Sequence, residues 1–421
     1  MDMASLANSA PGSDAFDLLL KGGHIIDGAN HLHDVRDVAV KDGRIAAVRP
    51  DIPASAALKV VDVSGLYVTP GLFDFHFHCY AGPDGTGPGD HLTVFPDPFT
   101  FPTGVTTVGE AGSSGWRTFP DFKRRVIDHA RTRILAFLHI VGAGSASGRV
   151  QDLEDMDAKA TAEQAVRYRD HIIGIKTADY EGAEWTPFER ALEAADSSGL
   201  PWFCDSGALR PERPLAEFMQ RRLRPGDIYT HIYAALRGEM DSKGRPVPAL
   251  WEGRQRGVLF DVGPGGGSFL LRSAISFLNE GFVPDIISSD RHLGSSATRY
   301  FMTDLLGVMS RFLNMGMSLE SVVRCATWNP ARAARRPELG NLSLAGPADI
   351  AVLNLENGNF GFVDMYGARL RGTQRLVCEL TVRDGKIVFD RNGISRPDWD
   401  TLPGNYRYTG DSRWDAIYPA R

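Results

Sequence analysis

The chain has 421 residues, of which 43% are hydrophobic and 23% charged, the composition of a globular protein long enough for one large barrel with an appendage. A formal net charge of −6 without a basic stripe argues against nucleic acid as a partner. No apolar run approaches the ~20 residues of a membrane span, the opening M-D-M-A-S-L-A-N-S-A-P-G-S-D is not expected to be a signal peptide, and Cys79, Cys204, Cys325 and Cys378 read as reduced thiols of a cytoplasmic protein.

Two segments at opposite ends of the chain share a pattern. Asp37 to Val48 reads D-V-A-V-K-D-G-R-I-A-A-V, and Glu379 to Asp390 reads E-L-T-V-R-D-G-K-I-V-F-D. Asp-Gly between two alternating runs predicts a tight hairpin, because both turn positions tolerate positive φ. An isolated hairpin is marginal in water. The two ends are therefore expected to meet in one small β-sandwich domain, built from residues 15–70 and 340–395.

Between them, short apolar runs alternate with helical stretches. The first run is Thr69 to His78; others follow at 104–112, 134–142, 172–178, 201–207, 227–233, 258–265 and 285–292. Amphipathic stretches such as F-P-D-F-K-R-R-V-I-D-H-A separate them. Repeats of this kind predict a (β/α)8 TIM barrel over 71–339. A doubly wound open sheet is the competing fold, but no G-x-G-x-x-G follows an early strand. Residues 396–421 form a C-terminal arm whose aromatic tail, Trp399 to Tyr418, suits packing or a subunit contact in a homo-oligomer.

In such barrels chemistry collects at the C-terminal ends of the strands. Those ends carry His76 and His78, Glu110, His139, Lys176, Asp205, His231, Asp261, and Asp290 with His292. In strand one, alternation puts Asp74, His76 and His78 on one face and Phe73, Phe75 and Phe77 on the other. The phenylalanines are expected to pack outward on the helices. Two imidazoles ~6.6 Å apart along one face can lean onto one ion. Lys176 ends the apolar run I-I-G-I-K and places an amine in the rim, where it suits an ion pair, a nucleophile or a covalently modified lysine. His231 suits zinc as a neutral imidazole or serves the core. Asp290 suits a ligand, a general base or a helix cap.

With His76-x-His78, Lys176, His231 and Asp290 in that order, the chain resembles the amidohydrolase superfamily of metal-dependent hydrolases. D-L-L-L-K-G-G-H-I-I-D-G, V-T-P-G-L-F-D-F-H-F-H and G-P-A-D-I-A-V-L look like that family. G-V-T-T-V-G-E-A-G-S-S-G, G-I-K-T and R-G-V-L-F-D-V-G-P-G-G-G-S-F look like its deacetylase and dihydroorotase-like branch. The resemblance implies zinc, one or two ions per chain. His76, His78 and Asp290 would hold one ion, and a carboxylated Lys176 would bridge to a second held from strands five and six. It implies deacylation of an N-acyl amino acid or O-acyl hydroxy acid by metal-bound hydroxide, with Asp290 as general base and acid.

Two positions depart from the family pattern. Asp205 stands where strand five ends in histidine, and Pro264 where the branch has another histidine. Three outcomes stay open: a two-metal site with Asp205 as ligand, one metal on the His76/His78/Asp290 side, or a metal-poor relative retained as a scaffold. A cyclic amidohydrolase that opens or closes rings is the competing activity. For the small-molecule substrate, Arg149, Gly266, Arg291 and His292 are the candidate contacts. The segment from Ala235 to Arg254 is a candidate flap, with Trp251 against the substrate.

Overall fold

The computed structural model of the chain describes residues 15–83, 93–297 and 304–402. Five strands open it: β1 (Leu18–Ile25), β2 (Val35–Lys41), β3 (Arg44–Arg49), β4 (Val60–Asp62) and β5 (Tyr67–Pro70). Seven parallel strands follow, β6 (Leu72–Phe77), β7 (Val105–Glu110), β8 (Arg133–His139), β9 (Ile172–Thr177), β10 (Trp202–Cys204), β11 (Ile228–Tyr229) and β12 (Leu259–Phe260). The chain then returns through β13 (Ile350–Val363), β14 (Arg369–Arg383) and β15 (Lys386–Asp390).

Both chain ends build one sheet, in the order β15-β14-β13-β5-β1-β2-β3 with β4 beside β1. Its two Asp-Gly turns form as their sequence demands. Asp42 and Gly43 have φ of 50° and 74°, and Asp384 and Gly385 have 48° and 75°. The turns meet across Ala348, whose N–H donates to Gly43 O at 2.8 Å and whose carbonyl accepts from Gly385 N at 2.9 Å. Leu18, Leu20, Val38 and Val40 pack in one core with Val352, Leu380 and Val382, so the halves of the sheet bury each other's apolar faces.

The barrel strands run in chain order, β6 through β12. The expected eighth strand is not a regular ladder, yet its segment closes the barrel. Ile286 bridges Asp261 in parallel on one side, and Arg291 bridges Phe77 on the other. Arg291 N donates to His76 O at 3.3 Å, and His78 N donates to Arg291 O at 2.9 Å.

Strand one corrects the expected alternation. Phe75 meets the rings of Phe137 and Phe203 at 5.1 and 5.6 Å, and these lie on β8 and β10, which are not its neighbours. In a parallel sheet curled into a barrel, rings from non-adjacent strands meet on the inner face. Phe73 and Phe75 therefore join Leu135, Ile173, Ile228 and Ile286 in the interior plug. Phe77 alone packs in the outer cluster that holds Tyr80, Phe119 and Phe122. The β6–β7 register shifts between Asp74 and Phe77, and that irregularity resets the phase, so the histidines also face inward above the phenylalanine plug.

Gly109 of β7 makes room for this strand. A β-carbon there would lie 2.4 Å from Phe75 O, a backbone atom with no freedom to yield. Gly109→Ala is expected to cost about 1–3 kcal/mol of stability, as overpacking does elsewhere. Urea unfolding checks this, and an unchanged midpoint would refute the close approach.

Candidate metal centre

The strand ends surround a cavity of about 530 Å³ lined by His76, His78, Lys176, Asp205, His231 and Asp290 among others. Gly266 and His292 also line it. His76 Nε2 lies 3.3 Å and His78 Nε2 3.2 Å from Asp290 Oδ1. Among the described residues, these three form the group whose ligand atoms all converge within 4.8 Å. The donor set suits a borderline divalent ion such as zinc.

Each imidazole is held from behind. His76 Nδ1 sits 3.3 Å from Asp261 Oδ2 and 3.2 Å from Thr230 Oγ1. Asp261 in turn accepts from Thr230 Oγ1 at 2.7 Å and Ser288 Oγ at 2.6 Å. His78 Nδ1 lies 2.9 Å from Ser113 Oγ, with Glu110 4.0 Å away. Partners on Nδ1 turn Nε2 toward the cavity, the arrangement by which proteins aim metal-binding histidines. Glu110 also accepts from the backbone of Gly112 and Ser113, which fixes the loop below His78.

Electrostatics prepare the same groups. Burial, despite Asp290, holds the His76 imidazole well below its usual range, so it is neutral and its lone pair is available. Burial alone would raise Asp290, but His76 and His78 override it and keep the carboxylate ionised. Asp290 and His231 both adopt left-handed backbone, with φ of 50° and 63°, a conformation that clusters at functional sites. Gly265 approaches so closely that a β-carbon there would sit 2.2 Å from Asp290 Oδ2.

Lys176 Nζ is buried without a hydrogen-bond partner among the described residues, 3.8 Å from the centre of the Phe203 ring. Burial lowers its pKa, against the pull of Asp205 and Asp290. His139 accepts from Val141 N at Nδ1, its Nε2 has no partner, and burial pushes its pKa down to about 3. It serves the wall behind Lys176 rather than the cavity lining.

Other expected contacts lie elsewhere. Arg149 is exposed and pairs with Asp152 at 2.5 Å, and it is absent from the cavity wall. The Arg291 guanidinium stacks 4.8 Å from the centre of the Phe99 ring, also off the wall. Trp251 packs on Phe282 at 4.9 Å, within the helix-side core. The aromatic tail beyond Leu402 lies outside the described residues. The arginine that does reach the wall is Arg237, from the segment that suggested a flap. Its Nη2 lies 2.9 Å from Asp205 Oδ1, while its Nη1 is buried without a partner among the described residues. Nothing in the local sequence A-A-L-R-G-E marks it out; only the inserted Asp205 hinted that a cation was needed nearby.

A barrel whose strand ends gather imidazoles and carboxylates around a cavity is the framework of a metal-dependent hydrolase. No protein-family model matches the chain. It is 30% identical over 336 residues to the deacetylase Atu3266 of Agrobacterium fabrum, covering 77% of this chain and 80% of that protein. It is 29% identical over 351 residues to a deacetylase of Brucella anthropi, covering 81% and 84%. Among solved structures, an adenine deaminase aligns with a TM-score of 0.80 at 24% identity, covering 89% of this chain and 100% of that one. A dihydroorotase aligns with a TM-score of 0.76 at 26% identity, covering 89% and 99%. The chain belongs to the amidohydrolase superfamily, in its deacetylase and dihydroorotase-like branch.

Asp74 gives the site a pH signature. Burial raises its carboxyl to about 7, although Ser289 donates to it through backbone and hydroxyl. The native state therefore holds a proton there that the unfolded chain releases near 3.8. That contribution to stability is complete below the unfolded value and is lost as pH rises to about 7. Asp74→Asn should flatten the fall in urea midpoint across this range; an unchanged slope would assign it to other groups.

Proposed function

We propose that the chain is a metal-dependent hydrolase that removes the acyl group from a small carboxylic acid, an N-acyl amino acid or an O-acyl hydroxy acid. The observation that carries this reading is the convergence of His76 Nε2 and His78 Nε2 on Asp290 Oδ1 within the cavity. These three residues would hold a divalent ion, with zinc the best match to the donors. Bound there, the ion supplies a polarised carbonyl and an acidified water.

The protein's own groups do the rest. Asp290 presents Oδ1 to the imidazoles at the cavity, where its carboxylate would take a proton from water and return it to the leaving nitrogen or oxygen. Arg237, whose side chain borders the cavity, would supply positive charge opposite the substrate carboxylate, a role that replaces Arg149 and Arg291. The Gly266 backbone and His292 border the same space and would orient the acyl group. Lys176, with its lowered pKa, would react as free amine with CO2, giving a carbamate anion and a proton.

The two deacetylase sequences align over 81% and 77% of this chain at 29% and 30% identity, against 26% for the dihydroorotase structure that covers 89%, which leans toward acyl removal over ring opening. The test is a panel of N-acyl amino acids and O-acyl hydroxy acids beside their primary amides and cyclic imides. Free acids should be hydrolysed best, chelation should abolish the activity and zinc restore it. Asp290→Asn should lower kcat by about 10²–10⁴. A preference for cyclic imides, or full activity in Asp290→Asn, would overturn the proposal.

A further inference from the structure

Two acceptor atoms face each other across the inner wall of the cavity. His231 Nδ1 lies 2.5 Å from Gly263 O. A carbonyl only accepts, so Nδ1 carries a proton, and in the neutral ring Nε2 presents a lone pair. That lone pair faces Asp205 Oδ2 at 3.7 Å, and the two side chains are only 8% and 2% exposed. Among the described residues Lys176 Nζ, on the same wall, makes no hydrogen bond to either atom. Two buried lone pairs so placed repel unless a cation lies between them. Ligands held ~2.0–2.2 Å from a tetrahedral ion are themselves roughly 3.4 Å apart, close to this gap.

Asp205 keeps Oδ2 free because Oδ1 is fully engaged. Oδ1 accepts from Gly207 N at 2.9 Å and lies 2.9 Å from Arg237 Nη2. Arg237 is itself fixed: its Nε donates to Gly207 O at 2.8 Å, and its backbone N–H donates to Glu239 Oε2 at 2.7 Å. Glu239 is held in turn by Tyr229 Oη at 3.1 Å. The turn that delivers the arginine uses Ala235 at φ 56°. An aspartate in place of an imidazole adds one negative charge to a buried site. The guanidinium offsets it, and Nη2 together with the Gly207 N–H holds Oδ1 while Oδ2 faces His231.

We propose that Asp205 and Arg237 together take the part of one neutral imidazole, with Arg237 positioning Asp205 so that Oδ2 joins His231 Nε2 in holding a second divalent ion. The proposal rests on the metal-hydrolase reading above, but it is tested without any substrate. Purified protein is equilibrated with zinc, and bound metal and its affinity are measured by elemental analysis and competition with a chromophoric chelator. Wild type should bind two equivalents. Arg237→Met should weaken the second by about 10–100-fold, the usual effect of removing a group that orients a ligand. Asp205→His should weaken it too, because it leaves the buried guanidinium unpaired beside the ion. The double variant, Asp205→His with Arg237→Met, should regain the second equivalent.

The equivalent bound by His76, His78 and Asp290 should persist in all variants, which reports that each has folded. A single equivalent in wild type, an unchanged second site in Arg237→Met, or a double variant as weak as the singles would overturn the pairing. A two-zinc protein that hydrolyses none of the panel would sink the functional reading and leave this one standing.

Discussion

Asp290 reaches the imidazoles of His76 and His78 only because the segment from 285 to 291 hydrogen-bonds to the barrel on both sides. Ser289 N–H donates to Asp74, Arg291 N–H to His76 O, and His78 N–H to Arg291 O. These bonds join the last barrel segment to the first strand, and the same few residues carry the groups that converge in the cavity. Closing the barrel and assembling the site are one event. A perturbation of the closure acts on the centre before it acts on the core. The irregular form of this segment follows, since its left-handed Asp290 is incompatible with a regular strand.

Below the centre, the aromatic plug of Phe75, Phe137 and Phe203 excludes water from the barrel axis. Above it stand ionisable groups whose charges are set by that dry floor. Burial lowers His76, His231 and Lys176 and raises Asp261 to about 6. Asp290 and Asp205 remain ionised despite burial, because imidazoles and Arg237 respectively surround them. Neutral nitrogens beside ionised carboxylates are the protonation states that a divalent cation requires.

Much of this was legible in the sequence, and the limits are physical. The Asp-Gly hairpins follow from local backbone preference, so their turns could be placed to the residue. His76, His78, Lys176, His231 and Asp290 stood out because barrel strand ends share one rim, and periodicity locates strand ends. Alternation failed at Phe73 and Phe75, because a register irregularity between β6 and β7 has no signature in a single strand. Arg237 was invisible for a related reason. It lies in a loop whose course depends on Glu239, Tyr229 and Gly207, contacts that no spacing rule predicts. Arg149 and Arg291 were equally good arginines on paper, and each instead found a partner elsewhere, Asp152 and the Phe99 ring.

Asp205 shows why a departure from a family pattern has to be judged with its neighbours. Taken alone, a carboxylate in place of an imidazole suggests a damaged centre, since it adds charge and a different geometry to a buried position. In the structure it is 2% exposed and paired with a guanidinium that is 11% exposed. An unpaired carboxylate at that depth would be costly, and an unpaired guanidinium no less so. Each therefore offsets the cost of burying the other. Glu239 and Gly207 hold the guanidinium in place, so the charge that Asp205 adds is balanced where it is buried. Judged with these neighbours, the aspartate is compatible with an ordered site rather than a damaged one.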